Sequence, residues 1–139
     1  MKFRFDKPTC QNIRKSLRKE WIETNGLGDY ASSSLLGCNT RKYHGLLVAD
    51  LERPVGRHVL LSTVEESLLM GEREFFFSCR KHPGVYYPRG HEYLQEMEIG
   101  EWPVFRYRFG EITLSRELML IPGRRLLILR YEVRGVGAD

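Results

Sequence analysis

The sequence has little of what several large classes of protein require. Its three cysteines, Cys10, Cys38 and Cys79, are far apart in a chain of 139 residues, and no two form a CxxC pair. A zinc site or a disulfide framework is therefore not expected, and three reduced thiols are typical of a cytosolic protein. The amino terminus lacks the apolar run of a signal peptide, and no apolar stretch approaches the length of a membrane span. We expect a cytoplasmic protein with no cofactor, no metal and no membrane partner.

A dominant charge of one sign is also missing. The chain carries 22 basic and 18 acidic residues, which give a net charge of +4. The two signs are interleaved along most of the sequence, apart from a basic stretch within residues 14–19 and the pair Arg80-Lys81. Nucleic-acid recognition needs clustered positive charge on a recognised binding module, and the sequence shows no such module. We therefore expect no nucleic-acid partner.

What the sequence does contain is the pattern of an all-β protein. In residues 104–109 aromatic side chains alternate with arginines, and in residues 112–120 apolar side chains alternate imperfectly with polar ones. A period of two is typical of antiparallel strands with one buried face. About eight short strands separated by turns predict one antiparallel β-sandwich domain over residues 21–139. A basic amino-terminal segment, residues 1–20, carries a short predicted helix at Cys10–Lys19.

Several individual elements follow from local sequence. Strands are predicted at Trp21–Glu23, Tyr43–Ala49, Arg73–Cys79 and Leu126–Val133. The apolar residues of His58–Met70 do not keep to one face, so a strand there needs a bulge or a bend. Gly71-Glu72 has the composition of a hairpin turn. His82–Gly90 contains two prolines and two glycines, and this composition predicts a loop.

Motifs that could carry catalysis or nucleotide binding are incomplete. Gly26–Ala31 matches GxGxxA, but the sequence after it is not that of a helix, so a tight turn is favoured over a dinucleotide site. Glycoside hydrolysis needs two carboxyl groups that flank the bond. Glu65 and Glu66, as neighbours on a strand, would point to opposite faces, whereas Glu96 and Glu98 could share a solvent-exposed face. No histidine stands at metal-binding spacing, and no catalytic residue is assigned.

The segment Asn39–Leu47 differs from the rest because side chains that bond hydroxyl groups precede an apolar strand. Asn39, Arg41, Tyr43 and His44 offer hydrogen-bonding groups and a flat aromatic face, which suit sugar hydroxyls and sugar rings. The alternative is a structural turn in which Asn39 and Arg41 bond backbone carbonyls. The residue types alone favour the structural turn.

Two blocks of sequence resemble the opening of bacterial and archaeal glycogen-debranching enzymes of the amylo-α-1,6-glucosidase type. Glu20–Ser32 is close to the family pattern E-W-x-x-T-N-G-x-G-G-Y-A-S, and Asn39–Leu47 is close to N-T-R-x-Y-H-G-L-L. The segment Pro54–Arg57 and the strands within Pro103–Val133 are similar to later parts of the family. The resemblance therefore extends from about Trp21 to the end of the chain.

The chain departs from the family pattern at two places. Asp29 stands where the family usually has glycine, and aspartate would adopt a positive φ less readily than glycine. Pro122–Arg125 stands where the family tends to have a turn of the Gly-Asn-Thr type. Neither departure removes the resemblance.

The resemblance implies an amino-terminal β-sandwich related to that of glucoamylases, packed on an α-helical toroid that holds the acid and base carboxylates. Since the family removes α-1,6-linked glucose at glycogen branch points, α-glucan would be the partner in the context of that toroid. The sandwich in the family is longer than these 139 residues, so we expect a fragment or a shortened relative that is not catalytic alone. Contacts to sugar or to the toroid would come from Asn39, Arg41, Tyr43 and His44, with Trp21 and Trp102 as stacking candidates.

Three functions remain open on the sequence. The chain is a non-catalytic module that borders a sugar site, a purely structural domain that docks on the catalytic domain, or a stand-alone protein that binds or cleaves carbohydrate. In each case a shortened sandwich should leave strand edges and apolar faces uncovered. Self-association through exposed strand edges is therefore expected.

Overall fold

The computed structural model describes residues 2–135 of the chain. The strands are β1 Phe3–Phe5, β2 Glu20–Thr24, β3 Tyr30–Ser34, β4 Gly45–Asp50, β5 Arg57–Leu61, β6 Ser67–Met70, β7 Arg73–Phe76, β8 Cys79–His82, β9 Val85–Arg89, β10 Leu94–Ile99, β11 Pro103–Phe109, β12 Ile112–Leu120 and β13 Leu127–Arg134. The helices are α1 Lys7–Cys10 and α2 Ile13–Ser16, and Gly90–Tyr93 forms a 3₁₀ helix. The strands pair antiparallel throughout these residues, so the predicted all-β class is confirmed.

A five-stranded sheet in the order β1-β10-β11-β12-β13 contains the predicted meander. Phe105, Tyr107 and Phe109 all face inward on β11, as their alternation predicts, and each is at least 97% buried. The inward face of β12 carries Leu114, as expected, but also the buried charged side chain of Arg116. Arg116 lies directly opposite Phe105 in the strand register, and its guanidinium is 4.5 Å from the centroid of that ring. A cation in this position is stabilised by the electron-rich ring face.

A four-stranded sheet in the order β2-β3-β4-β5 forms the second layer. Trp21 of β2 and Ala31 of β3 belong to the same buried cluster as Met97 and Phe105 of the first sheet. The indole of Trp21 meets the ring of Phe105 edge-on, with ring centroids 6.0 Å apart, an arrangement that aromatic pairs prefer. Because the two sheets share one core, the architecture is the predicted β-sandwich.

Two hairpins, β6-β7 and β8-β9, complete the sandwich. Phe75 of β7 lies 5.3 Å from Phe109 between ring centroids, so the first hairpin covers part of the core. The second hairpin spans residues 79–89 and so covers most of His82–Gly90, where a loop was predicted; that prediction is wrong. Pro88 is compatible with β9 because no residue of β8 is paired with it. Gly84, with a φ of 75°, makes the turn of the hairpin.

Two further predictions are refined by the structure. The bend expected in His58–Met70 is the break between β5 and β6, which lie in different sheets. The helix predicted at Cys10–Lys19 is replaced by α1 and α2. The side chain of Asn12 accepts a hydrogen bond from the backbone N–H of Lys15 at 3.0 Å and so begins α2 as a new helix. The basic amino-terminal segment is part of the sandwich, since β1 pairs with β10.

Candidate functional site

An open groove of about 530 Å³ crosses the outer face of the four-stranded sheet. In the register of β2 and β3, Ile22 lies opposite Ser32, so both point away from the core that Trp21 enters. The loop between β3 and β4 forms one wall of the groove. The lining residues are Glu20, Ile22, Tyr30, Ser32, Arg41, Lys42, Tyr43, His44 and Arg57.

Asn39 holds the start of this loop against the sheet. Its side-chain oxygen accepts a hydrogen bond from the Ser33 hydroxyl at 2.8 Å. Its side-chain nitrogen donates to the carbonyl oxygen of Ser62 at 3.2 Å and to the Ser62 hydroxyl at 3.1 Å. For Asn39 the structure therefore agrees with the structural-turn alternative, because its hydrogen-bonding groups are used within the protein.

His44 closes the loop and is buried beneath it. Its Nδ1 accepts a hydrogen bond from the backbone N–H of Thr40 at 3.0 Å, which places the proton of the neutral ring on Nε2. Nε2 is 3.4 Å from a carboxylate oxygen of Glu20. Burial lowers the pKa of His44, and the nearby Arg41 adds to the decrease, while Glu20 opposes it. The ring is therefore neutral at pH 7.

Arg41 faces the groove and is not bonded to backbone carbonyls. Its Nε is 2.5 Å from the Glu20 carboxylate, and 71% of its side chain is exposed. Arg41 also lines the open groove. Because a guanidinium presents five N–H donors in a planar fork, one carboxylate partner leaves donors free for a ligand.

An aromatic surface lies beside these charges. The Tyr30 hydroxyl donates to the carbonyl oxygen of Tyr43 at 3.0 Å. The Arg57 guanidinium is 5.5 Å from the ring centroid of Tyr30 and 5.8 Å from that of Tyr43. The ring of Tyr43 stays 39% exposed. The Arg57 guanidinium therefore lies beside both rings, and the groove combines aromatic faces with hydrogen-bond donors.

Gly45, the glycine of the N-T-R-x-Y-H-G block, is required by the close packing of β4 on β5. A Cβ at this position would lie 3.0 Å from a methyl carbon of Val59 and 3.1 Å from the carbonyl oxygen of Leu61. These distances are shorter than ordinary van der Waals contacts. The block therefore has a packing requirement at Gly45 in addition to the polar residues that precede it.

The two tryptophans do not lie in the groove. Trp21 is 3% exposed, and its indole N–H donates to the carbonyl oxygen of Ser34 at 3.1 Å. It is a core residue, so its proposed role in stacking on sugar is wrong. Trp102 is half-buried at the β10-β11 turn and lines a separate surface depression with Lys2 and Glu98. Its stacking role stays a prediction at a site apart from the groove.

The carboxylate pairs weighed for catalysis are all engaged in ion pairs. Glu65 is exposed and lies 2.6 Å from Arg80, whereas Glu66 is buried and bonds Arg116 at 2.5 Å. The two side chains therefore point apart, as expected. Both residues, however, lie in the segment between β5 and β6 and not on a strand.

Glu96 and Glu98 share the outer face of the five-stranded sheet, as expected, but Glu98 is only 7% exposed, so the expected solvent exposure is wrong for that residue. Both contact Arg106, whose Nη1 lies 2.7 Å and 3.2 Å from their respective carboxylate oxygens. Burial raises the pKa of Glu98, but hydrogen bonds from Arg106 and Lys2 outweigh it and lower the pKa overall. A carboxyl group held ionised in this way is a poor general acid.

The glycine-rich loop Asn25–Asp29 is a structural clamp. Gly26 and Gly28 have φ values of 80° and 96°, and strand β3 follows the loop, which confirms the tight turn. Asp29 does not have a positive φ, so the expected strain there is absent. Its buried carboxylate instead accepts two hydrogen bonds from Arg125, each 3.0 Å long. Asp29 and Arg125, which lie at the two places where the chain departs from the family pattern, therefore form one ion pair.

Sequence reasoning missed part of the groove. Glu20, Tyr30 and Arg57 were not among the candidate contacts, yet each lies beside Arg41 or Tyr43. All three lie within the sequence blocks that resemble the family. That shared location was the available signal, but strand register was needed to show that these side chains converge on one face.

Comparison with known proteins gives one match. The family model described as glycogen debranching enzyme N terminal matches residues 19–139. No curated protein and no solved structure matches the chain significantly. None of the helices within residues 2–135 has the length and apolar character that a membrane span requires.

Proposed function

Because the chain belongs to the family of glycogen debranching enzyme amino-terminal domains, we propose that it is the non-catalytic domain that borders the α-glucan site of a debranching glycoside hydrolase. The catalytic carboxylates would come from a helical-toroid domain outside these 139 residues. The groove on the four-stranded sheet would be the glucan-facing surface. The observation that carries this proposal is the convergence of Arg41, Tyr43, Tyr30 and Arg57 at the groove.

The chemistry of the groove supports a carbohydrate ligand. Sugars present rings with apolar faces and hydroxyl groups that act as donors and acceptors, so their sites combine aromatic faces with planar polar groups. Tyr43 offers a partly exposed ring and Arg41 offers free guanidinium donors. The carboxylate of Glu20 supplies an acceptor at the same place. All three side chains belong to blocks that resemble the family.

The alternative is docking on the catalytic domain without direct contact to sugar. Asn39 and His44 are used inside the loop, so neither side chain distinguishes this alternative from contact with sugar. Under this alternative the exposed Arg41 would bond an acidic group of the toroid. Removing Arg41 would then weaken the contact between the domains in the full enzyme, whereas the isolated chain would show no affinity for sugar.

Isothermal titration of the chain with maltooligosaccharides tests the proposal. We expect heat of binding at millimolar sugar, and we expect Tyr43→Ala to weaken binding by roughly fivefold, because one aromatic contact is worth about 1 kcal/mol. Tyr87, an exposed tyrosine at 62% on β9, provides the matched control Tyr87→Ala, which should leave binding unchanged. Absence of heat with the folded wild-type chain would refute direct binding and favour docking.

A glucose-release assay with branched limit dextrin addresses the remaining alternative of a stand-alone enzyme. The carboxylates considered above are held in ion pairs, so we expect no release from the chain alone. Glucose released by the purified chain would contradict the proposal that catalysis belongs to another domain.

A further inference from the structure

Two cysteines that are remote in sequence lie together in the fold. Cys38 lies in the loop between β3 and β4, and Cys79 begins β8. They pack in one small buried cluster with Leu36 and are 2% and 3% exposed. Both thiols are reduced in the structure. The spacing of the two cysteines in sequence matches no known motif, so their proximity is a product of the fold.

The surroundings of the two thiols favour a thiolate on Cys38. The neighbouring Cys79 thiol lowers the pKa of Cys38 because it can donate a hydrogen bond to a thiolate there, whereas the same interaction raises the pKa of Cys79. The backbone N–H and the positive charge of Lys81 lower the pKa of Cys38 further, against the opposing effect of burial. Cys10 provides a contrast, since burial raises the pKa of that isolated thiol to about 11.

A small reagent has a route to these sulfur atoms. A surface cavity of about 250 Å³ is lined by both cysteines. Its other lining residues are Asn39, Ser62, Thr63, Arg80, Lys81 and His82. Arg80, Lys81 and His82 give the cavity a basic and polar entrance, and low-pKa thiols beside such groups are the reactive ones in proteins.

We propose that Cys38 and Cys79 form a redox-active dithiol that hydrogen peroxide converts to a disulfide. The Cys38 thiolate attacks one peroxide oxygen, the O–O bond breaks, and the departing hydroxide takes a proton to become water. Cys79 then gives up its proton and its sulfur attacks the sulfenic acid formed on Cys38; the S–O bond breaks and a second water leaves. Two thiols thus lose two electrons and two protons, and the peroxide is reduced to two molecules of water.

This disulfide would join two parts of the domain that are remote in sequence. It would tie the loop before β4 to the β8-β9 hairpin. Cys38 directly precedes Asn39, so the bond would fix the start of the loop that carries Arg41 and Tyr43. The proposal does not depend on what the groove binds.

Peptide mapping after peroxide treatment tests the dithiol. The full chain is exposed to hydrogen peroxide at pH 7, free thiols are alkylated, and the digest is analysed by mass spectrometry. We expect a cross-linked peptide pair containing Cys38 and Cys79 that is lighter than the two reduced peptides by two hydrogen atoms, with Cys10 alkylated. Before oxidation, Cys38 should react with iodoacetamide at least about tenfold faster than Cys10.

Two variants complete the test. Cys10→Ala should still form the cross-link, and Cys79→Ala should stop at a sulfenic acid on Cys38 that dimedone traps. If Cys79→Ala does not fold, the wild-type peptide map and the alkylation rates still decide the question. Preferential oxidation of Cys10, or disulfides formed only between molecules, would overturn the proposal.

Discussion

The side chains of the loop between β3 and β4 divide between holding the loop and facing the groove. Asn39 and His44 bond groups of the protein at both ends of the loop. Arg41 and Tyr43 project from the same loop and keep free donors and a partly exposed ring. A polar block of this kind therefore has two functions at once, because the inward-facing residues fix the position from which the outward-facing ones can make contacts.

His44 makes stability depend on pH. Its pKa is lowered in the folded chain, mainly by burial, so below pH 6.5 the unfolded chain takes up a proton that the folded chain does not. We expect the free energy of unfolding to fall as the pH decreases below about 6.5. Urea denaturation at pH 7.5 and pH 5.5 should show a smaller decrease for His44→Gln than for the wild type.

The exposed residue His58 supplies the control for this experiment. His58→Gln should retain the pH dependence of the wild type, because its side chain is on the surface of β5. His91 is also buried with a lowered pKa and should account for the dependence that remains in His44→Gln. Equal pH dependence in His44→Gln and the wild type would contradict the assignment.

The clamp between Asp29 and Arg125 gives a second prediction at the scale of single residues. Hydrogen bonds from Arg125 hold the pKa of Asp29 at about 2, so the clamp contributes fully above about pH 4 and is lost as the pH falls towards 2. Arg125→Ala should lower the free energy of unfolding at pH 7, because the buried carboxylate of Asp29 loses its charged partner; chemical denaturation measures the loss.

The neighbouring residue Arg124 is the matched control, because only its backbone carbonyl contacts the loop, as the acceptor for Asn25. Arg124→Ala should change stability little. A loss in Arg125→Ala that persists undiminished at pH 2 would show that its cause is not the ionised carboxylate of Asp29.

Among the elements, strands with a clear period of two were predictable from sequence and the remainder were not. β12 begins at Ile112 and ends at Leu120, as predicted, because the inward leucines alternate with polar residues. The β8-β9 hairpin was missed because its strands are too short and too exposed to show a burial pattern. The inward direction of Arg116 was also missed, since its ion partner Glu66 is 50 residues away in sequence. Such a pairing depends on tertiary structure alone.

The contact between β12 and the segment before β6 gives a prediction at this scale. Glu66 bonds both Arg116 and the hydroxyl of Tyr131 inside the sandwich. Removing only the carboxylate leaves a buried guanidinium unpaired, so Glu66→Ala should destabilise the chain by roughly 3 kcal/mol in chemical denaturation. The double variant Glu66→Leu with Arg116→Met should recover most of this loss, since neither buried charge remains.

A double variant no more stable than Glu66→Ala would show that the loss comes from poorer packing and not from the unpaired charge. Arg80→Ala is the control, because Arg80 pairs with the exposed neighbour Glu65. Exposed ion pairs contribute about 1 kcal/mol or less, so its effect should be small.

At the scale of the whole molecule, β13 is the last strand of the five-stranded sheet, and no other strand within residues 2–135 pairs with its outer edge. Val133 lies opposite Leu114 in the register and faces the same side, yet Val133 is 53% exposed and Leu114 is 3% exposed. The second layer therefore does not cover the end of β13. An eight-residue edge strand with apolar side chains and unpaired backbone groups is a template for further strand pairing.

Self-association through this edge therefore stays a prediction of the account. Light scattering should show a molecular mass that rises with protein concentration, and Val133→Lys should suppress the rise, because edge charges oppose strand pairing. Val85→Lys is the control, since Val85 has the same exposure of 53% on the small hairpin. A strict monomer at high concentration would contradict the prediction.

The family could be identified from two short blocks of sequence, because residues in these blocks have specific structural roles. Gly45 allows β4 to pack closely on β5, and the side chain of Asn25 donates a hydrogen bond to the carbonyl oxygen of Arg124. The composition of the groove could not be derived in the same way. Arg57 reaches Tyr30 and Tyr43 only because β5 lies beside β4 in the sheet, and strand order is not visible in local sequence.

The central claim is that the groove on the four-stranded sheet contacts α-glucan. A nuclear magnetic resonance titration of the labelled chain with a maltooligosaccharide at millimolar concentration tests it most directly. The account predicts chemical-shift changes at Arg41, Tyr43, Tyr30 and Arg57, with no change at the control residue Tyr87 on β9. A titration without shifts at the groove, in a chain whose spectrum shows it to be folded, would contradict the claim.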